Sequence, residues 1–164
     1  MSKGIGGHQR AYRGHSDDWL TPPEIVRALG PFDLDPCSPA QRPWPTAARH
    51  FTAEDDGLTL LWGGRVWLNP PYGPQTGQWL RRLAEHGDGI ALVFARTETE
   101  MFHLWAWQRA CAMLFLRGRL HFYNTAGQRA RFNAGAPSVL VAYGLANALR
   151  LRGCGIAGRF VELE

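Results

Sequence analysis

The sequence predicts an α/β domain, a parallel sheet flanked by helices, and two observations carry that prediction. Short apolar runs of strand length alternate with amphipathic runs of helix length, the pattern of strand–helix–strand units rather than of hairpins. Two chemically unusual strings, Asp33-Leu34-Asp35-Pro36 and Asn69-Pro70-Pro71-Tyr72, each stand where such an apolar run ends. Sheets of this type bind ligands beyond the carboxyl ends of their strands. Fold and site therefore coincide.

Residues 1–16 are rich in Gly, His and Arg without periodicity and are expected to form a disordered basic arm, leaving 17–164 as a single domain. Thr21-Pro22-Pro23 opens a helix that runs to Leu29, with Thr21 as N-cap and proline at the first helical position. Gly30-Pro31 stops it, and Phe32 to Leu34 forms a short strand. The Pro-rich stretch from Ser38 to Trp62 reads as irregular. Arg65 to Leu68 is a strand, Thr76 to His86 an amphipathic helix with Trp79, Leu80 and Leu83 on one face, and Gly89 to Ala95 a buried strand. Glu98 to Ala110 reads as a second long helix carrying Phe102, Trp105 and Trp107. Ala112 to Leu116 and Pro137 to Tyr143 are apolar strands separated by Gly- and Arg-rich turns.

Composition bounds the function. At 164 residues and 45% hydrophobic content the chain can bury one domain core, and 20% charged residues is ordinary for a globular protein. No apolar run reaches the roughly 18 residues that span a bilayer, and the polar start is no signal peptide, so no membrane partner and a cytoplasmic setting are expected. Three cysteines without a CxxC pair imply neither a disulfide framework nor a zinc site, and no metal is expected. The net charge is +4, and Met101 to Val161 holds eight arginines and no Asp or Glu. Arg117, Arg119, Arg129 and Arg131 are candidate phosphate contacts, since a one-sided, Arg-dominated basic surface suits nucleic acid. A merely solvated Arg-rich surface has the same composition.

Asn69-Pro70-Pro71-Tyr72 carries the chemistry. An exocyclic base amine is a poor nucleophile because its lone pair is delocalised into the ring. The Asn69 side-chain carbonyl can accept one amine hydrogen and the Pro70 backbone carbonyl the other, with the prolines fixing the direction of the acceptor. Two preorganised acceptors draw the nitrogen toward tetrahedral geometry and align its lone pair. Tyr72 offers a face for an extruded base. As a plain turn, the same string would only end a strand. Asp33-Leu34-Asp35-Pro36-Cys37 places acids at a strand end, where they can take an amino group or ribose hydroxyl, or simply form an Asp-Pro turn. Cys37 reads as a small buried residue. Asp55-Asp56-Gly57 follows about 20 residues on, where nucleotide-binding folds often place a ribose-binding acid; a solvated turn is equally open.

These strings resemble, in order, the Dam-like DNA N6-adenine methyltransferases encoded by phages. The matching pieces include Asp18-Trp19-Leu20-Thr21-Pro22, Phe32 to Cys37, Asp55 to Leu58, Trp67 to Gly73, Arg96-Thr97-Glu98-Thr99, Gly118-Arg119-Leu120 and Ala136-Pro137-Ser138. The resemblance implies a Rossmann-like class I methyltransferase fold, with a mostly parallel seven-stranded sheet and a reversed last strand at Pro137 to Tyr143. It implies S-adenosylmethionine held by Thr21, Pro22, Asp35 and Pro36, with Asp33, Cys37, Asp55 and Asp56 as further candidates. It implies catalysis by Asn69, Pro70, Pro71 and Tyr72 on double-stranded DNA with a flipped target base. Here Asp35 is followed by Pro-Cys-Ser-Pro in place of a Gly-rich loop, and Asn69 stands where many amino-methyltransferases have Asp. The acceptors alone serve cytosine N4 as well as adenine N6, and glutamine-amide methylation uses a similar string. A non-catalytic DNA-binding module would use the basic half and be indifferent to Asn69.

Overall fold

The computed structural model describes residues 18–164; the basic arm expected over residues 1–16 lies outside the described residues. Seven strands and four helices follow in order: α1 (Pro23–Leu29), β1 (Leu34–Asp35), β2 (Arg49–His50), β3 (Val66–Leu68), α2 (Thr76–His86), β4 (Gly89–Phe94), α3 (Glu100–Phe102, continuing as a wider helical turn over His103–Trp107), β5 (Ala112–Leu116), β6 (Ser138–Tyr143), α4 (Leu145–Arg152) and β7 (Gly158–Glu162).

The strands form one sheet in the order β2-β1-β3-β4-β6-β5-β7. The first four are parallel neighbours, whereas β6 runs antiparallel between β4 and β5, and β7 closes the edge antiparallel to β5. Side chains alternate through this sheet with the period of two that strand geometry imposes. Val66, Leu68, Ala91, Val93, Val139 and Val141 face α2 and α3 on one side. Trp67, Ile90, Leu92, Leu140 and Ala142 face α1 and α4 on the other. Both faces are buried, so the central strands read as continuous apolar runs. This is the three-layer α/β architecture the sequence predicts.

Four expectations need correction. The reversed strand at Ser138–Tyr143 is present but is not the last: β7 follows, also reversed. Its two hydrophobic side chains, Phe160 and Val161, are only half-buried, so its sequence carries little apolar signal. The stretch expected to be irregular contains β2, a two-residue polar edge strand. Thr21 does not cap α1: Pro22 occupies the N-cap position without a side-chain bond, and Thr21 is buried. The helix expected over Glu98 to Ala110 begins two residues later, at Glu100, behind a Thr99 cap, and turns wide from His103 to Trp107. There the amide of Gln108 reaches the carbonyl of His103, five residues back, and the Tyr143 hydroxyl bonds the Trp105 carbonyl at 2.6 Å. A neighbouring strand thus captures a carbonyl that an ordinary helix would use internally.

Candidate active site

The site begins at the carboxyl end of β1. Asp35 is 4% exposed, yet its carboxylate is held from two directions: Thr46 Oγ1 donates to one oxygen and the Cys37 amide donates to the other at 3.2 Å. Burial pushes its carboxyl up from 3.8 to about 6, against the lowering effect of these two bonds and of the nearby Arg42 charge. Thr46 is itself fixed by His50, whose Nε2 accepts from the amides of Thr46 and Ala47 at 3.2 and 3.4 Å. An imidazole nitrogen that accepts must be unprotonated, and burial lowers the His50 pKa accordingly.

One strand over, β3 delivers Asn69-Pro70-Pro71-Tyr72 beside Asp35. Three of its polar groups are committed. The Asn69 backbone carbonyl accepts from Cys37 Sγ at 3.4 Å, the Pro71 carbonyl accepts from Thr76 Oγ1 at 2.7 Å, and Asn69 Nδ2 donates to the Trp19 carbonyl at 3.2 Å. Among the described residues no hydrogen bond reaches the Pro70 carbonyl. The Asn69 side-chain carbonyl accepts only a long 3.4 Å bond from the Tyr72 hydroxyl. Among the described residues, both of these acceptors are therefore open to a further donor. Thr76 also accepts from the Gly73 amide at 2.9 Å, so the start of α2 locks the turn.

Tyr72 stacks on Phe94 with centroids 4.1 Å apart and planes 8° from parallel, and Phe122 meets it edge-on at 6.3 Å. Burial raises the Tyr72 phenol well above its ordinary value, so it stays protonated. Two cavities meet at this ring. The first, about 120 Å³, is lined by Asp18 to Thr21, Asp35, Cys37, Pro39, Thr46, Trp67 and Asn69 to Tyr72. The buried hydroxyl of Thr21, which lines it, has no hydrogen-bond partner among the described residues. The second, about 780 Å³, lies between Tyr72-Gly73, the end of β4, the Arg96 to Met101 segment and Gly135.

Residues 9–148 match the family model described as DNA N-6-adenine-methyltransferase (Dam). That match spans nearly the whole domain. The chain belongs to the Dam family. It is an adenine-specific DNA methyltransferase, and DNA is its substrate. No curated protein and no solved structure matches it.

The smaller cavity brings together Thr21, Asp35, Cys37 and Asn69 to Tyr72, with Pro22 and Pro36 buried next to them in sequence. Other candidates stand apart. Asp33 is exposed, and its carboxylate accepts from the Arg65 amide at 2.7 Å, while a Cβ at Gly64 would fall 2.4 Å from that carboxylate. It joins β1 to β3 rather than lining either cavity. Asp55 and Asp56 are exposed; Asp55 accepts from the amide and hydroxyl of Thr52. Their turn does abut the site, because a Cβ at Gly57 would fall 2.0 Å from the Pro36 carbonyl. Only glycine permits that approach.

Arg117, Arg119, Arg129 and Arg131 are all exposed on the β5–β6 connection. That connection is anchored over the site. Tyr123 pairs with Leu20 and Arg129 by backbone bridges, and its ring meets Trp44 edge-on at 5.3 Å. Sequence reasoning missed Thr46, Thr76 and His50. Each acts through a backbone turn or a neighbour's side chain, and a lone Thr or His carries no spacing signal. Among the described residues no helix is long and apolar enough to cross a membrane.

Proposed function

We propose that the enzyme binds S-adenosylmethionine against Thr21, Pro22, Asp35 and Pro36 and methylates N6 of an adenine extruded from double-stranded DNA. One observation carries this reading: the Pro70 carbonyl, free of hydrogen bonds among the described residues, and Asn69 Oδ1, held by one long bond, share a cavity with a buried acid and a buried hydroxyl that has no partner there. The residues fit the cofactor. Buried polar atoms without partners are rare and costly, so the Thr21 hydroxyl supports a polar ligand group there. Asp35 offers a carboxylate for an ammonium or ribose hydroxyl. At about 120 Å³ the cavity seats one end of a nucleotide-sized ligand rather than all of it.

When bound, S-adenosylmethionine supplies an electrophilic methyl group. The protein's own residues do the rest. Asn69 Oδ1 and the Pro70 carbonyl accept the two N6 hydrogens, which localises the lone pair on nitrogen. Pro70 and Pro71 hold that arrangement without an N–H that would compete for the acceptors. Tyr72, backed by Phe94, presents one face to the base. The larger cavity, which shares Tyr72 with the first and has Arg96 at its wall, receives the rest of the extruded nucleotide. Cys37 positions Asn69 through its backbone carbonyl, and burial pushes its thiol pKa up, so it is no nucleophile.

Asn69→Ala removes one acceptor and should lower single-turnover methyl transfer by on the order of 10²–10³, with cofactor affinity retained. Asn69→Asp accepts the same hydrogen and should keep substantial activity. Nucleosides released from treated DNA should contain N6-methyladenine by mass spectrometry. Wild-type rates in Asn69→Ala would refute the catalytic assignment.

A further inference from the structure

Among the described residues, large apolar side chains that are exposed are few, and one sits where apolar exposure is least expected. Phe132 is 58% exposed in the Arg-rich β5–β6 connection. The other aromatic residues of that connection are committed: Phe122 is buried against Tyr72, and Tyr123 packs on Trp44. Phe132 contacts one charged neighbour, the Arg131 guanidinium, 5.4 Å over its ring. The backbone beneath it is held firmly. The Ala134 amide donates to the Leu120 carbonyl at 2.6 Å, Arg119 donates to the Ala134 carbonyl at 3.1 Å, and Ala134 is buried.

Position gives the exposed ring its meaning. Gly135, three residues along, lines the cavity shared with Tyr72. Three residues of backbone span at most about 10 Å, so the Phe132 backbone lies within about 10 Å of a residue lining the nucleotide's receiving site. Extruding a base leaves a gap in the duplex whose unstacked neighbours cost a few kcal/mol, and apolar side chains inserted between base steps offset that cost. An aromatic ring on an arginine-bearing loop, beside a cation that can leave its face for a phosphate as the ring inserts, has the chemistry for this.

We propose that Phe132 inserts into the duplex and fills the gap left by the extruded adenine, with Arg131 anchoring it to the adjacent phosphate. This rests on the extrusion reading above. It makes Phe132 a positioning residue, acting on the DNA stack rather than on the reacting atoms.

The test uses the full chain and a duplex oligonucleotide carrying a site mapped from DNA the wild-type enzyme has methylated. In one version 2-aminopurine, whose fluorescence rises when it leaves the stack, replaces the target adenine. Phe132→Ala should lower single-turnover methylation of the adenine duplex by about ten- to hundredfold, the loss expected of one stacking aromatic. It should also reduce the 2-aminopurine signal, with melting temperature and S-adenosylhomocysteine affinity unchanged. Phe132→Trp should restore both readouts. Full fluorescence and wild-type rate in Phe132→Ala would overturn the proposal, as would a rate loss with undiminished fluorescence. If the wild-type protein itself gives no fluorescence rise while methylating the adenine duplex, extrusion fails, and the proposal falls with it.

Discussion

Asp35 is the residue whose ionisation the fold makes expensive, so cofactor affinity should track pH through it. Its carboxyl is pushed to about 6 by burial, whereas the unfolded chain has the ordinary 3.8. If the cofactor is held by the carboxylate, apparent Kd scales as one plus the ratio of protonated to ionised Asp35. That ratio is about 10 at pH 5 and about 0.1 at pH 7, so affinity should rise about tenfold over this window, or about 1.4 kcal/mol. The sign for stability is opposite. The native state holds this proton more tightly than the unfolded chain, so the contribution is most favourable below about pH 4 and is lost as pH rises through 6. The shift corresponds to a native-state cost of about 1.5 kcal/mol at pH 5 and about 3 kcal/mol at pH 7.5. Asp35→Asn should therefore raise the melting temperature of the ligand-free protein, more at pH 7.5 than at pH 5, while weakening cofactor binding and flattening its pH dependence. Calorimetric titration with S-adenosylhomocysteine from pH 5 to 7 on both proteins measures this. A flat wild-type profile would refute the reasoning. A slope that persists in Asp35→Asn would do so as well and would move the titration to His50, whose protonation breaks the bonds that hold Thr46.

Three further outcomes follow from the same geometry. Thr21→Val keeps the side-chain shape but removes a buried hydroxyl that has no partner among the described residues, so the ligand-free protein should gain up to about 1 kcal/mol in denaturant unfolding. Cofactor affinity should fall severalfold at the same time, and unchanged affinity would mean the hydroxyl meets no ligand. Reversing charge at Arg117 and Arg129 should flatten the dependence of log K for DNA on log salt by about two contacts' worth, since each phosphate contact releases counterions; an unchanged slope would leave these arginines merely solvated. Tyr72→Phe keeps the ring stacked on Phe94 and should reduce turnover only mildly, whereas Tyr72→Ala should weaken DNA capture under single turnover.

Much was determined by the sequence alone, because the signals were local. The apolar runs of β4, β5 and β6 and the amphipathic face of α2 follow from the periodicity that burial imposes on a strand or helix. The Asn69 to Tyr72 turn and the Asp35 strand end declared themselves because two prolines fix the backbone without distant help. Tertiary structure decided the rest. Nothing near Asp33 in sequence distinguishes it from Asp35, yet one carboxylate is spent on the Arg65 amide and the other is buried in the cavity. The placement of β6 between β4 and β5 is set by pairing across the sheet, and the reversal of β7 by its bonds to β5, neither of which leaves a local mark. The wide turn after Phe102 depends on Tyr143 reaching the Trp105 carbonyl from another strand. That Thr46 holds Asp35, and His50 holds Thr46, comes from a polar segment folded back over the β1 end. Hydrogen bonds between residues distant in sequence have no period, so only the folded chain reveals them.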